Sequence, residues 1–353
     1  KQMDLKKILM TAIEAKASDL HITVGVPCTI RVHGKLQYIN DEKVTPEDSE
    51  SLISQLTNDF QWDTLINKGE VDFSYSLPGI QRFRVNAYRQ RNSFAAALRL
   101  INTEIPPLEK LGLPNRVREL ANINSGIVLV TGPTGSGKST TLASLIQLIN
   151  QNSSRHIITL EDPIEYLFKH DKSIVNQREV GNDTINFTNA LRACLRQDPD
   201  VILVGEMRDH ETISIALTAA ETGHLVFSTV HTVGAAETIN RIIDIFPPNQ
   251  QQQIRFQLAM TLQAVVSQQL LTRADENGRV VAVELMLANP AIRNMIREEK
   301  VHQMANVIQT NQSKGMQTMD DSLIDLYKRS LITREDTLAH CVDIDYVKKS
   351  IIN

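Results

Sequence analysis

The first hundred residues combine helical hydrophobic spacing with short alternating segments. Residues 4–17 carry apolar side chains three and four positions apart, which predicts an amphipathic helix. Polar and apolar residues alternate over residues 29–33 and 83–89, which predicts two half-exposed strands. Between them, Thr45 followed by Pro46 is typical of a helix start, because threonine caps the first turn and proline fits its first position. The pattern predicts a small α+β domain.

The following part of the chain has a different pattern, in which continuous apolar runs alternate with helical segments. The runs are rich in Val, Ile and Leu and cover residues 127–130, 157–160, 201–204 and 225–229. Helices are predicted from about residues 138 and 209. Continuous apolar strands separated by helices predict a parallel sheet that is covered on both faces.

The chain beyond residue 246 is expected to be mostly helical. A hairpin is predicted around Asn277 and Gly278, since this dipeptide favours a tight turn between strands. The uncharged run 256–272 contains four glutamines and is interpreted as an amphipathic helix that is too short and too polar to span a membrane. A helical C-terminal segment is expected over about residues 285–353.

Prolines at positions 106, 107 and 114 interrupt the chain between the two patterns. Because proline clusters mark loops and domain boundaries, we predict an N-terminal domain over residues 1–104. A linker is predicted over residues 105–113 and a second domain over residues 114–353. The length of 353 residues fits two domains.

Composition narrows the class of protein. With 42% hydrophobic and 22% charged residues the chain is an ordinary folded protein. The net charge of −4 excludes a globally basic nucleic-acid binder, and we expect no nucleic-acid partner. Three isolated cysteines without a CxxC pair indicate a reducing compartment and no zinc site. The first residues lack the apolar stretch of a signal peptide, so a cytoplasmic location is expected.

A phosphate-binding motif follows the first apolar run. Residues 132–140 match the P-loop (Walker A) pattern G-x-x-x-x-G-K-[ST] between a predicted strand and a predicted helix. The residues expected to bind nucleotide are Gly132, Pro133, Thr134, Gly135, Ser136, Gly137, Lys138, Ser139 and Thr140. Lys138 is placed to bridge the β- and γ-phosphates, and the Ser139 hydroxyl to ligate Mg²⁺. The motif predicts ATP and Mg²⁺ as cofactors.

Acidic residues follow two of the other predicted strands. Glu206 is the first carboxylate after the strand 201–204, and Gly205 stands where P-loop ATPases often carry an aspartate. Glu206 is therefore the better candidate for the general base that orients and deprotonates water. Glu161 follows the strand 157–160 and is expected to assist at the metal or the water, and both glutamates could hold the metal through water. Asp162 has the alternative role of a helix N-cap.

His231 follows the strand 225–229, at the same predicted sheet edge as the phosphate site. An imidazole there could sense the γ-phosphate by donating a hydrogen bond. Together with Glu206, Glu161 and Lys138, it completes the predicted catalytic set.

These motifs, in this order, resemble the secretion ATPase superfamily, the hexameric motors of type II and type IV secretion and of pili. Four further segments resemble the members that retract type IV pili: residues 17–21, 82–86, 291–296 and 314–320. The resemblance implies a PAS-like α+β N-terminal domain followed by a RecA-like P-loop ATPase domain with a helical C-terminal region. It also implies a homohexamer that holds ATP between the two domains.

The resemblance further implies that arginines of the N-terminal domain reach the phosphates, and it directs attention to Arg82, Arg84 and Arg89. Strand alternation predicts Arg82 and Arg84 on one face, with Arg89 and Arg91 on the other. The alternative is a solvated strand edge guarded by charge.

The resemblance implies a motor that powers pilus retraction and twitching motility. It would dock on an inner-membrane platform protein of the pilus machine, at the cytoplasmic face of the bacterial inner membrane, and would contact the membrane only through partners. Two alternatives stay open: a pilus extension or type II secretion ATPase, and a regulator that binds ATP without hydrolysing it.

Overall fold

A computed structural model describes residues 3–352 of the chain. These residues form two compact units, each with its own sheet. The first unit runs to Glu104 and includes Pro163–Leu167, and the second comprises Ile105–Asp162 and the chain from Phe168 onward. The predicted α/β class is confirmed.

The first unit is an antiparallel sheet with three helices. Its helices are α1 (Leu5–Glu14), α2 (Pro46–Leu56) and α3 (Asp59–Lys68). Its strands are β1 (Asp19–Ile22), β2 (Pro27–Val32), β3 (Lys35–Lys43), β4 (Glu70–Leu77), β5 (Gln81–Gln90) and β6 (Ser93–Leu100). They lie in the order β3-β2-β1-β6-β5-β4, and every neighbouring pair is antiparallel.

Local sequence signals account for several of these elements. The Thr45 hydroxyl accepts a hydrogen bond from the Asp48 amide at 3.1 Å, and the Asp48 carboxylate accepts one from the Thr45 amide at 3.1 Å. This capping box starts α2 as predicted. Strand β5 alternates as predicted, but β2 is more enclosed than predicted because it lies inside the sheet, where both Thr29 and Ile30 are buried.

The second unit is a seven-stranded sheet surrounded by helices. Its strands are β7 (Gly126–Thr131), β8 (His156–Glu161), β9 (Ile174–Glu179), β10 (Val201–Val204), β11 (Leu225–Val230), β12 (Leu262–Thr272) and β13 (Arg279–Leu287). Its helices are α4 (Lys138–Asn152), α5 (Phe187–Cys194), α6 (His210–Glu221), α7 (Ala235–Asp244), α8 (Pro248–Thr261), α9 (Pro290–Arg297), α10 (Met304–Thr310), α11 (Met319–Lys328), α12 (Arg334–His340) and α13 (Ile344–Ile352). Short 3-10 helices cover Leu108–Leu111, Asn115–Asn122, Val301–Gln303 and Gln312–Lys314.

The strand order is β13-β12-β7-β11-β10-β8-β9, with β13 antiparallel and the other neighbouring pairs parallel. Alternate residues of β7 enter cores on opposite faces. Ile127 and Leu129 belong to the core that contains apolar side chains of α5 to α9, whereas Val128 and Val130 belong to the core that contains those of α4. The prediction of a parallel sheet covered on both faces is confirmed.

The predicted helix over residues 256–272 is wrong in its second half. Helix α8 ends at Thr261, and β12 begins at Leu262 and pairs with both β7 and β13. The β-branched Val265 and Val266 are fully buried in this strand, which explains why sheet pairing prevails there. The predicted hairpin at Asn277 and Gly278 is confirmed as the β12–β13 connection, and the C-terminal helices begin at Pro290 because β13 extends to Leu287.

The segment from Ile105 belongs to the second unit, where the Ser144 hydroxyl donates a hydrogen bond to the Pro106 carbonyl at 2.7 Å and Leu108 is buried. The alternative role of Asp162 as a helix N-cap is wrong, because no helix begins in the described chain between Asp162 and Phe187. Within residues 3–352, each helix lacks the length or the apolarity needed to cross a membrane.

Candidate active site

The candidate residues of the second unit follow four neighbouring parallel strands. β7, β11, β10 and β8 lie side by side, and register pairs join Val230 to Thr131 and Val204 to Leu160 near their carboxyl ends. Gly132, His231 and Glu206 therefore follow strands that end at one edge of the sheet, and Glu161 is the last residue of β8 at that edge. This edge is where open α/β sheets bind ligands.

Glycines with positive φ shape the P-loop. Gly132 has φ +145°, and a Cβ there would collide with the Gln268 carbonyl oxygen and the Ser136 hydroxyl. Gly137 has φ +89° and directly precedes α4. In the part of the chain that the structure describes, no side chain caps this helix. Its first N–H groups and the positive end of its dipole therefore form a cradle that fits a phosphate group.

The remaining P-loop residues lie in the loop or in the first turn of α4: Pro133, Thr134, Gly135, Ser136, Ser139 and Thr140. The Lys138 ammonium donates hydrogen bonds to the carbonyl oxygens of Gly132 at 2.8 Å and Pro133 at 2.9 Å. Its charge is thus held over the same loop whose amides would contact phosphate. Ser139 is exposed at the second position of α4, where its hydroxyl can ligate a phosphate-bound Mg²⁺.

Close packing explains why a glycine occupies position 205. A Cβ there would lie 3.1 Å from the Leu160 carbonyl oxygen and 3.4 Å from Cζ of Phe187. The Gly205 amide also donates to that same Leu160 oxygen at 2.8 Å. A side chain at position 205 would therefore press on the β8 backbone and the Phe187 ring, and Glu206 is the first carboxylate after β10.

Glu206 is the centre of a polar group at this edge. Its Oε2 atom lies 3.4 Å from Nε2 of His231 and forms an ion pair with Nε of Arg208 at 2.9 Å. The Glu206 side chain is 21% exposed, whereas that of Arg208 is 74% exposed. The backbone beneath is fixed by the Thr229 hydroxyl, which donates to the Gly205 carbonyl at 2.6 Å. The carboxylate thus lies between an arginine and an imidazole while it stays accessible.

Glu161 lies in a different environment. Its Oε2 atom accepts hydrogen bonds from the Thr159 hydroxyl at 2.7 Å and from the Gln177 side-chain amide at 3.1 Å. Both donors are neutral, and Thr159 is fully buried. Glu206 thus contacts an arginine and an imidazole, and Glu161 accepts hydrogen bonds from a hydroxyl and an amide.

The candidate arginines belong to the first unit. Arg82 and Arg84 lie on the face of β5 opposite the buried Phe83, and Nη1 of Arg82 donates to the Ser76 hydroxyl at 3.4 Å. The guanidinium carbon of Arg89 lies 5.8 Å from the centre of the Phe94 ring.

The prediction that Arg91 shares a strand face with Arg89 is wrong. Arg91 follows β5 in the turn to β6, where its φ is +46°. Strand alternation therefore does not extend to Arg91, because the chain reverses direction there.

Two residues beside the site escaped the sequence analysis. Arg208 could have been predicted from the sequence, because it lies two positions after Glu206 in the segment that follows β10. Gln268 is only 2% exposed and donates to the Ser136 carbonyl at 3.1 Å, beneath the P-loop. Gln268 lies in the stretch predicted as a helix, so its place in β12, opposite Val283 of β13, was hidden.

Comparison with known proteins adds to this geometry. The family model described as "Type II/IV secretion system protein" matches residues 1–336. A twitching motility protein of Neisseria gonorrhoeae is 48% identical over 331 residues, which are 94% of this chain and 88% of that protein. The type IV pilus retraction ATPase PilT of Pseudomonas aeruginosa is 48% identical over 334 residues, covering 95% of this chain and 97% of that protein.

A solved structure is also similar. The crystal structure of the pilus retraction motor PilT with bound ADP superposes with a TM-score of 0.90 at 52% sequence identity, and the match covers 99% of this chain and all of that one. The predicted resemblance is confirmed over nearly the whole length. This chain belongs to the type II/IV secretion system protein family.

Proposed function

We propose that this chain is an ATP-hydrolysing motor that powers retraction of type IV pili. The proposal takes its biological task from relatives named as a twitching motility protein and a pilus retraction ATPase. The observation that carries the chemistry is the Glu206 carboxylate, oriented by His231 and Arg208 at the sheet edge that also bears the P-loop. A carboxylate at this edge supplies the proton acceptor that hydrolysis needs.

Each group has a role in the hydrolysis of ATP. Lys138 and the amides at the start of α4 hold the phosphates, and Ser139 would hold Mg²⁺, which neutralises phosphate charge when bound. Glu206 acts as the general base: it orients a water molecule and takes its proton. His231 stabilises the Glu206 carboxylate and donates to the γ-phosphate when that group is near. Glu161 assists at the metal or the water.

The arginines Arg82, Arg84 and Arg89 are proposed to bring positive charge to the phosphates from the first unit. An arginine that reaches a transferring phosphoryl group can be worth about 10³- to 10⁵-fold in rate. The domain division with residues 1–104, 105–113 and 114–353 is part of the same proposal, because a site shared by two domains can open and close with each nucleotide cycle.

The role of Glu206 is tested by paired substitutions in the purified protein. Glu206→Gln should lower kcat by at least about 10²-fold while ATP binding stays, since the amide keeps the shape but cannot accept a proton. Glu161→Gln should have the smaller effect. Glu221→Gln, at the far end of α6, is the control and should hydrolyse ATP normally. A wild-type rate in Glu206→Gln together with an inactive Glu161→Gln would assign the base to Glu161 instead.

We also propose a homohexamer that docks on an inner-membrane platform protein of the pilus machine, on the cytoplasmic side of the membrane. The mass of the purified protein, measured by light scattering with and without nucleotide, tests the assembly. Six copies are expected with ATP bound to Glu206→Gln, which should hold the nucleotide without turning it over. A monomer under every nucleotide condition would contradict the ring.

The regulator alternative predicts ATP binding without phosphate release, so a phosphate-release assay separates it from the motor. The extension or secretion alternative predicts hydrolysis as well. It is separated in cells: deletion should leave pili extended and non-retracting if the chain is a retraction motor, and should abolish pili or secretion otherwise.

A further inference from the structure

Two facing residues of the β12–β13 hairpin hold the chain that follows His231. Ser267 and Glu284 are register partners across the two antiparallel strands, so their side chains lie on the same face of the sheet. The fully buried Ser267 hydroxyl accepts a hydrogen bond from the Gly234 amide at 2.8 Å. Oε1 of Glu284 accepts one from the next amide, that of Ala235, at 2.8 Å.

The same carboxylate also holds a second helix. Oε2 of Glu284 accepts a hydrogen bond from the amide of Met319, the first residue of α11, at 3.1 Å. Ala235 is in turn the first residue of α7. One carboxylate therefore accepts hydrogen bonds at the positive ends of two helices that are far apart in the sequence.

The Glu284 carboxyl group is buried, which disfavours its charged form. Its removal from water raises the pKa of the carboxyl above the ordinary value, and the nearby Asp320 raises it further, while the bonds from Ala235 and Met319 lower it. A carboxylate in such a place is retained only where its bonds are well formed, because an unpaired buried charge is costly.

The loop between His231 and α7 is short and bonded along its length. The hydroxyls of Thr232 and Thr238 lie 2.7 Å apart, and the Thr238 hydroxyl donates to the Gly234 carbonyl at 2.8 Å. Three residues separate His231 from Ala235, so the positions of Gly234 and Ala235 constrain where the imidazole can reach.

We propose that Ser267 and Glu284 are positioning residues that keep His231 against Glu206 and link that contact to α11. This inference rests on the proposed function, since it concerns how the hydrolytic site is held. Neither residue touches the reacting groups; both act through the backbone that carries His231. A shift of α11 at Met319 would then move His231, because Glu284 is hydrogen-bonded to the first residues of both α7 and α11.

The link continues into the C-terminal helices. The two carboxylate oxygens of Asp320, next to Met319, accept hydrogen bonds from the amides of Val342 at 2.7 Å and Asp343 at 2.9 Å. These residues immediately precede α13. A partner that moves the C-terminal helices can therefore change hydrolysis without contact with the nucleotide.

The central test is Ser267→Ala in the full-length protein. It removes the bond to Gly234 and should lower kcat about tenfold to 10²-fold with KM for ATP within twofold, because small displacements of a catalytic group are costly while the P-loop still binds. Ser173→Ala is the matched control: its buried hydroxyl accepts a hydrogen bond from the Arg155 amide at 3.2 Å, just before the starts of β8 and β9, and it should retain the wild-type kcat.

A double-mutant cycle separates positioning from general damage. In a His231→Ala background, Ser267→Ala should cause no further loss of kcat, because the residue that it positions is gone. Glu284→Gln leaves one acceptor oxygen for two backbone N–H groups, so it should also lower kcat. In the His231→Ala background it too should cause no further loss. An unchanged kcat in Ser267→Ala, or an equal further loss in the His231→Ala background, would overturn the proposal.

The NMR signal of the His231 ring, in protein with ¹³C-labelled histidine, gives a readout that does not depend on hydrolysis. The signal should shift in Ser267→Ala and in Glu284→Gln and stay in place in Ser173→Ala. If the wild-type protein released no phosphate, the proposed motor function would fail while this signal still tested the positioning. A ring signal that does not move in Ser267→Ala overturns the inference by itself.

Discussion

The imidazole of His231 lies against the carboxylate of Glu206, with Nε2 3.4 Å from Oε2. An ionised carboxylate only accepts hydrogen bonds, so this contact places a proton on Nε2 of the ring. The two residues follow β10 and β11, adjacent parallel strands that are in register from Val201 with Leu225 to Val204 with Ser228. The sheet therefore brings the two segments to the same edge, and the bonds to Gly234 and Ala235 hold the chain that follows His231.

The ion pair of Arg208 with the same oxygen should contribute less to kcat than the contact of His231 does. The Arg208 side chain is 74% exposed, and exposed ion pairs contribute about 0.2–1 kcal/mol. Arg208→Gln in the purified protein should therefore lower kcat by less than about fivefold, and the difference should shrink at high salt, which screens exposed charges. Steady-state kinetics at two salt concentrations measure both effects. A loss of about 10²-fold would mean that Arg208 acts on the nucleotide itself.

Restoring an aspartate at position 205 should harm the protein. Gly205→Ala is expected to lower the free energy of unfolding by about 1–3 kcal/mol, because its Cβ would press on the Leu160 carbonyl and the Phe187 ring. Gly205→Asp should cost more and should give no gain in hydrolysis. Urea unfolding measures the loss. Adding Phe187→Leu should recover only part of it, since the Leu160 contact is backbone; full stability in Gly205→Ala would contradict the packing cause.

The sequence predicted the central strands well because their apolar runs are nearly continuous and bounded by polar residues. β10 has the predicted bounds, and the runs that became β7, β8 and β11 are each extended by one or two residues. The P-loop was predictable for a related reason: its glycines, lysine and serine act within nine consecutive residues, so their spacing alone carries the signal.

What the sequence hid depends on contacts between distant segments. Pro163–Leu167 joins the first unit, where Tyr166 pairs with Asn102, and no local pattern marks such a pairing. Residues 256–272 join a helix to a strand without a break, so one hydrophobic pattern covered two elements. Glu284 looks like an ordinary strand glutamate until the ends of α7 and α11 are seen to meet it.

The three thiols should differ in reactivity. Burial raises the pKa of Cys28 to about 11 and that of Cys194 to about 12, whereas Cys341 is only partly buried. At pH 8 in the native protein, N-ethylmaleimide should modify Cys341 first, because the thiolate is the reactive form. Mass spectrometry of the alkylated protein measures the order. Cys341→Ser is the control and should leave two thiols that react only in urea.

The same shifts predict a pH effect on stability. Well below about pH 8.5, the ordinary pKa of an unfolded cysteine, the thiols are protonated in both states. Above that pH the unfolded state loses protons first, so the contribution of Cys28 and Cys194 to stability falls as the pH rises toward 11 and 12. Rapid alkylation of Cys194 in the folded protein at pH 8 would contradict its burial.

Substitutions on the buried and the exposed face of α9 should have different effects: the first should lower stability and the second should impair pilus retraction. Ile292 and Ile296 are fully buried, whereas Ala291 and Asn294 are exposed. Ile292→Ala should lower the free energy of unfolding by about 2–5 kcal/mol, as other large-to-small core changes do. Asn294→Lys should leave stability and ATP hydrolysis unchanged and should abolish pilus retraction, because the exposed face is free to meet a partner.

Urea unfolding, phosphate release by the purified variants and twitching of cells that carry them measure the three quantities. Asn67→Lys, the same exchange at an exposed position of α3 in the first unit, controls for the effect of an added surface charge and should retain all three. The decisive comparison is within Asn294→Lys. Retraction lost with hydrolysis kept assigns this face to force transmission, whereas a parallel loss of both in a stably folded variant would place α9 in the hydrolytic machinery instead.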